Sequence, residues 1–175
     1  MKKYYKIIFT LLIFYCFNVI NVLANDLYFV DYSKVMNESI AGKKAQDTLK
    51  KLLTSSNKRF NDTAKKIKEE ENKIISQKNV LTKEDYRKKA EDLRKKVFSL
   101  NKERDKTIRD IAAKRKKAGD QMLKNLNPIL SKYMEENNIT VVIDKKNVLM
   151  GNKKYEITSQ IIQLLNKDLK SLNLN

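Results

Sequence analysis

Histidine and tryptophan are absent from this chain, and cysteine, proline and glycine are nearly so: one Cys, one Pro and three Gly in 175 residues. Without an imidazole there is no Ser-His-Asp or Cys-His nucleophile pair and no His-ligated metal site. With only Gly42, Gly119 and Gly151, no glycine-rich loop can present successive backbone N–H groups to a nucleotide phosphate. Most hydrolase mechanisms and nucleotide-driven enzymes are thereby excluded, and no cofactor is expected. Acidic residues are also scarce, 21 against 38 Lys+Arg.

What is present begins with a targeting signal. Lys2, Lys3 and Lys6 precede an apolar run from Ile7 to Ile20 broken only by Thr10 and Asn18. Val22-Leu23-Ala24 supplies small residues where a signal peptidase inspects them, which places the cut between Ala24 and Asn25. An uncleaved anchor would need ~20 apolar residues, more than this run offers. Tyr15 before Cys16 is too bulky for a lipoprotein site, so the mature chain has no cysteine and no disulfide to staple a small core. It also carries 35 basic and 21 acidic residues. That density of charge predicts an elongated or oligomeric molecule rather than a compact ball.

Three regions separate by pattern: an apolar start (26–40), a charged middle (41–126) and an apolar-alternating end (128–172). Leu53, Phe60, Ile67, Ile74 and Leu81 recur every seven residues, which predicts one helix over about 42–79. The second seam of that helix holds small or polar residues such as Ser56, Thr63 and Ala64, so the stripe is thin. Tyr86, Leu93 and Leu100 form one column of a second helix over 83–126. Ala90, Val97, Ile111 and Ala118 form another, which Arg104 interrupts. Thr82-Lys83-Glu84-Asp85 reads as a capping box that starts this second helix and makes the pair a hairpin.

Asn127-Pro128 is expected to kink or restart the second arm, with helix resuming through Ile129, Leu130, Tyr133 and Met134. The β-branched run Ile139 to Ile143 reads as a strand, Val148-Leu149-Met150 as a second and Tyr155-Glu156-Ile157 as a short extended piece. A last helix capped by Thr158 or Ser159 buries Ile161, Ile162, Leu164, Leu165 and Leu169. Leu27 to Val30 is a strand leading at Asp31 into a short helix around Val35. The fold class is mostly α with a small β body, a long antiparallel helical hairpin being inserted between N- and C-terminal strands. That body is too small to stand alone, so several chains are expected to complete one sheet.

Charge is concentrated in the arms: Lys58 to Lys117 holds 22 Lys+Arg and 11 Asp+Glu. The runs Arg87-Lys88-Lys89, Arg94-Lys95-Lys96 and Lys114-Arg115-Lys116-Lys117 are candidate contacts for an anionic partner. Phe60, Tyr86, Phe98 and Met122 are read first as seam packing and second as weak apolar contacts.

Two segments resemble the Skp (OmpH-like) family of periplasmic chaperones. One is Val30-Asp31, Val35 and Asn37-Glu38-Ser39-Ile40-Ala41-Gly42-Lys43. The other is Val142-Ile143-Asp144-Lys145-Lys146-Asn147-Val148-Leu149, followed by Ile157-Thr158 and Ile161-Ile162. Ile40 stands where many members have Pro, and the arms match only in length, charge and weak heptads. The resemblance implies a homotrimer with a β body and three tentacles, a periplasmic location, and an ATP-independent holdase function toward unfolded outer-membrane β-barrel proteins. The expected domains are a signal peptide at 1–24, a body from 25–40 and 128–175, and a tentacle at 41–127. The body's expected protomer contacts are Leu27, Phe29, Val30, Val141, Val142, Ile143, Val148 and Leu149. Anionic lipid or lipopolysaccharide is a further expected partner, and physiological nucleic acid is not. A histone-like nucleic-acid binder and a membrane-anchored coiled-coil stalk are the alternatives. Export argues against the first, and the strands at both ends argue against the second.

Overall fold

The structure, a computed structural model, describes residues 27–174, so the expected cleavage at Ala24 and Asn25 lies outside the described residues. Its first element is strand β1, Leu27–Val30, which pairs in parallel with β2, Val141–Asp144, in the register Leu27↔Val141 to Val30↔Asp144. On its other edge β1 meets Glu156 in an isolated bridge, and Ile157 N–H donates to the Phe29 carbonyl at 3.0 Å. The first strand therefore sits inside, flanked by two segments from the far end of the chain.

Asp31 ends β1 and caps helix α1, Tyr32–Glu38, its carboxylate accepting from Lys34 N–H at 2.8 Å. Ser39 caps the long helix α2, Ile40–Ser76, accepting from Gly42 N–H at 3.2 Å. Between these helices the backbone is so close that a Cβ on Gly42 would lie 2.2 Å from the Met36 carbonyl oxygen. Ile40 occupies the first helical position, where Pro is favoured. Its N–H, which a proline would lack, donates to Asn166 Oδ1 at 2.8 Å.

Helix α3, Lys83–Glu136, returns alongside α2. Thr82 caps it, its Oγ1 accepting from Asp85 N–H at 3.1 Å and donating to the Asp85 carboxylate at 2.6 Å. At ~1.5 Å per residue the arms run ~55 Å and ~80 Å, so α3 overshoots its partner at the base. There it corrects the expected restart at Pro128, because the helix passes through that residue to Glu136. The missing N–H and the ring's clash cost about 3 kcal/mol. Burial of Met122 and Leu126 before the proline, with Ile129, Leu130 and Tyr133 packed on the same core after it, exceeds that cost.

The helix stops at Asn138, whose φ of 53° is left-handed. Asn138 N–H reaches the Glu135 carbonyl and Ile139 N–H the Met134 carbonyl, the paired bonds of a Schellman ending. Ile139 and Thr140 are spent on that ending, so β2 begins only at Val141. The strand expected at Val148-Leu149-Met150 is absent. A 3₁₀ turn at Lys145–Asn147, closed by Asp144 accepting from Lys146 N–H, leads instead into a loop in which Leu149 and Met150 are fully exposed. The loop instead packs Gly151 against the Phe29 ring of β1, where a Cβ would lie 2.9 Å from Cε1. Another 3₁₀ turn, Lys153–Tyr155, precedes the Glu156 bridge and replaces part of the expected extended piece.

Helix α4, Thr158–Asp168, has Ile157 at its N-cap with no side-chain cap. The expected capping hydroxyl of Thr158 is used elsewhere, accepting from Asp31 N–H at 2.9 Å and donating to Glu156 at 3.1 Å. Lys145 closes this chain of bonds on the Glu156 carboxylate at 3.1 Å. Val30, Val35, Ala41, Met122, Leu126, Ile157, Ile161 and Leu165 form the single core cluster, entirely at the base of the hairpin.

Candidate functional site

Along the arms the seam is held at intervals. Phe60 is buried between the guanidinium of Arg59, 5.1 Å from its ring centre, and that of Arg104, at 5.7 Å. Arg104 is the residue that interrupts the heptad column of the second arm, and this stacking is its use. Arg59 also pairs with Glu103 across the seam at 2.8 Å, and Lys96 with Glu70 at 2.7 Å. Ile74, Leu100 and Ile111 are buried, whereas Leu53, first in the expected stripe, is 40% exposed.

Along the distal stretch, on one face of the paired arms, lies a groove of about 520 Å³. Ile67, Ile74 and Ile75 line it from α2, and Tyr86, Leu93 and Phe98 from α3. Ile75 is 55% exposed and Phe98 71%, and Val80 at the hairpin turn is more exposed still. The expected seam role thus holds for Phe60 and fails for Phe98, which stands outside the seam. Met122, read with them, belongs to the core of the base and is fully buried. Tyr86 is half-buried on the groove wall.

The ten basic candidates divide by their partners. Lys95 pairs with Glu91 at 3.1 Å, Lys96 with Glu70, and Lys116 with Asp120 at 2.7 Å. Lys89 lies 3.4 Å from Gln77 Oε1, and Lys114 is half-buried against the Leu174 carbonyl. Lys117 is exposed and engaged. Arg87, Lys88, Arg94 and Arg115 are exposed with no carboxylate within ion-pair distance among the described residues. Arg87 and Arg94 are two turns apart on one face of α3, and Arg94 lines the groove itself. The groove wall also carries Glu71, which is paired with Lys68, so an apolar trough with the uncompensated Arg94 on its wall and Arg87 two turns away can hold an extended chain that is partly apolar and partly acidic.

The expected protomer contacts divide as well. Phe29 and Val30 are buried, Val30 in the chain's own core, and Val142 packs against that core. Ile143 and Val148 are half-buried. Leu27 at 50%, Val141 at 42% and Leu149 face outward. The second edge of β2 has no partner among the described residues.

Most of the groove's apolar lining, from Ile67 and Ile74 to Tyr86, Leu93 and Val97, was visible as heptad columns but read as closed seam, while Ile75 on the groove wall, exposed Phe98 beside it and exposed Val80 at the turn fall between the columns. Their shared trait is that they break the seam's period within two turns of the hairpin tip or on the facing stretch of the other arm.

No curated protein matches the chain. The crystal structure of a Caulobacter crescentus protein, described as an outer membrane chaperone (OmpH-like), is similar in fold, with a TM-score of 0.76 and 17% identity. The likeness covers 84% of this chain and 87% of that one. The profile of the OmpH-like outer membrane proteins matches residues 26–165, nearly all of the two-strand body and both arms. This chain belongs to the OmpH-like family.

Proposed function

We propose that the chain is an ATP-independent chaperone of the bacterial periplasm that holds unfolded outer-membrane β-barrel proteins between basic helical arms and keeps them soluble. The observation that carries this reading is the distal groove, where exposed Ile75, Val97 and Phe98 lie beside Arg94, with the unpaired Arg87 two turns away. An unfolded barrel protein offers short stretches of alternating apolar residues, and acidic positions between them complement the arms. Family membership and the chaperone description of the Caulobacter crescentus protein support the same role.

Three copies assemble in this proposal through the open edge of β2 and the outward side chains of Leu27, Val141 and Leu149. An edge strand with free N–H and C=O groups is a ready template for a neighbouring chain. Binding and release need no nucleotide and no catalytic group. Anionic lipid or lipopolysaccharide is a second ligand class for the uncompensated cations.

The deciding experiment is the solution mass of chain 25–175, alone and with one barrel protein diluted from urea. A trimer that keeps the barrel soluble in a defined complex supports the proposal. A monomer or dimer beside an aggregated barrel overturns it.

A further inference from the structure

Past α4 the described residues have no regular structure, yet after an extended Leu169 they are tied to α3 by Gln121 and Lys114. From Ser171 to Leu174 exposure alternates, with Ser171 and Asn173 exposed and Leu172 and Leu174 half-buried. Leu169 and Leu172 pack against the core. Gln121 grips the backbone of a single residue with both ends of its amide. Its Nε2 donates to the Asn173 carbonyl at 2.6 Å, and its Oε1 accepts from Asn173 N–H at 2.9 Å. One helical stretch away, Lys114 Nζ donates to the Leu174 carbonyl at 2.5 Å.

All three bonds address backbone atoms. A glutamine amide offers one donor and one acceptor on the same edge, as the peptide unit of a neighbouring strand does. The helix surface here therefore treats its occupant as a β-strand, recognising its backbone and the two-residue period of its apolar side chains.

We propose that the face of α3 built on Lys114 and Gln121 is a binding site for an extended peptide with apolar residues at alternate positions, and that the chain's own segment 169–174 is its displaceable resident. The inference rests on the chaperone reading for the identity of the displacing ligand, since strands of unfolded barrels carry this alternation. The resident segment would keep the site filled until a client strand competes for it.

The test uses a dye-labelled peptide of residues 167–174, capped at both ends, and fluorescence anisotropy against four proteins. These are chain 25–175, the same chain ended after Lys170, the full chain with Asn173→Pro, and the shortened chain with Gln121→Ala. Removing the resident should tighten peptide binding at least tenfold. Asn173→Pro, which deletes the N–H that Gln121 accepts while keeping Leu172 on the core, should tighten it in the same direction. Gln121→Ala on the shortened chain should weaken binding about tenfold, the worth of two neutral hydrogen bonds. Equal affinity of the full chain, the shortened chain and Asn173→Pro overturns the proposal, as does Gln121→Ala binding as tightly as its parent. Pelleting of a urea-diluted barrel is followed in the same samples. A barrel held soluble without any change in peptide affinity sinks this site and leaves the chaperone reading standing. Peptide binding as expected beside an aggregated barrel does the reverse.

Discussion

Two single residues carry much of the closure of the body. Gly42 is needed because its missing side chain lets the Met36 carbonyl reach α2. Gly42→Ala should lower unfolding stability by about 1–3 kcal/mol in urea, the usual effect of overpacking. An unchanged midpoint would show that α1 can move aside without loss. Glu156 joins the far segment to both Lys145 and Thr158. Burial raises its pKa, but the hydrogen bonds from Lys145 and Thr158 and the charges of Lys145 and Lys34 outweigh this and hold it below its ordinary 4.5. A depressed carboxylate contributes stability at pH values above the unfolded value, and loses it as pH falls through the lower folded value. Glu156→Gln should therefore melt earlier than the parent at pH 7, with the gap closing below pH 4.5. A gap independent of pH would assign the loss to packing. Gly42 was readable in the sequence only as part of a family-like opening, and Glu156 not at all, because its partners lie in segments whose contact depends on the finished body.

At the scale of elements, the arms and the core behave as separate structures. The core ends near Met122, and beyond it, among the described residues, α2 and α3 are joined by one aromatic clasp, two cross-arm ion pairs, a Lys89–Gln77 hydrogen bond and a thin row of aliphatics. Exposed ion pairs contribute little, so Phe60 between Arg59 and Arg104 is the main tie. Phe60→Ala should cost about 3 kcal/mol of local stability. Amide exchange would then speed up over roughly 50–115 while α4 and β1 keep their protection. Equal acceleration in both would mean that arms and body unfold as one. Heptad spacing and the capping box at Thr82 made the two arms and their hairpin legible, because a period of seven and a polar cap are local signals, whereas the cap at Ser39 went unread and the first arm starts at Ile40 rather than near Gly42. The proline rule misled at the restart expected at Pro128, where a local preference yields to long-range burial, and β propensity misled at Val148 to Met150, where a 3₁₀ turn at Lys145–Asn147 leads into an exposed loop. The groove was missed because a heptad column shows which residues share a face but not whether the facing arm covers them, and Val97 in such a column is 41% exposed.

For the whole molecule, the proposed assembly and the proposed cargo binding use different surfaces. Val142 packs on its own core, so a charge there would unfold the protomer before it tested any interface. Leu149 and Met150 touch solvent, and Leu149→Ser with Met150→Ser should leave the melting of the isolated fold within about 0.5 kcal/mol while lowering the mass in light scattering. An unchanged mass removes that loop from the proposed interface. Arg87, Lys88, Arg94 and Arg115 are the cations to reverse together, since Lys95, Lys96 and Lys116 are already neutralised by neighbours. Their replacement by Glu should weaken capture of an unfolded barrel at least tenfold at low salt and flatten its salt dependence, with the oligomer intact. Capture that does not move would limit their role to solubility. The parallel pairing of β1 with β2 has a further consequence for how this chain comes into being. Asp31 and Thr158 are bonded although 127 positions apart, so the strand that is synthesised first has no partner until almost the last of the chain has followed. The hairpin, made of local contacts, can form in that interval and carry its two ends together, replacing the closure of one long floppy loop by the docking of two prepared ends. The arms are in this sense a folding tool for their own protein before they are a tool for any other.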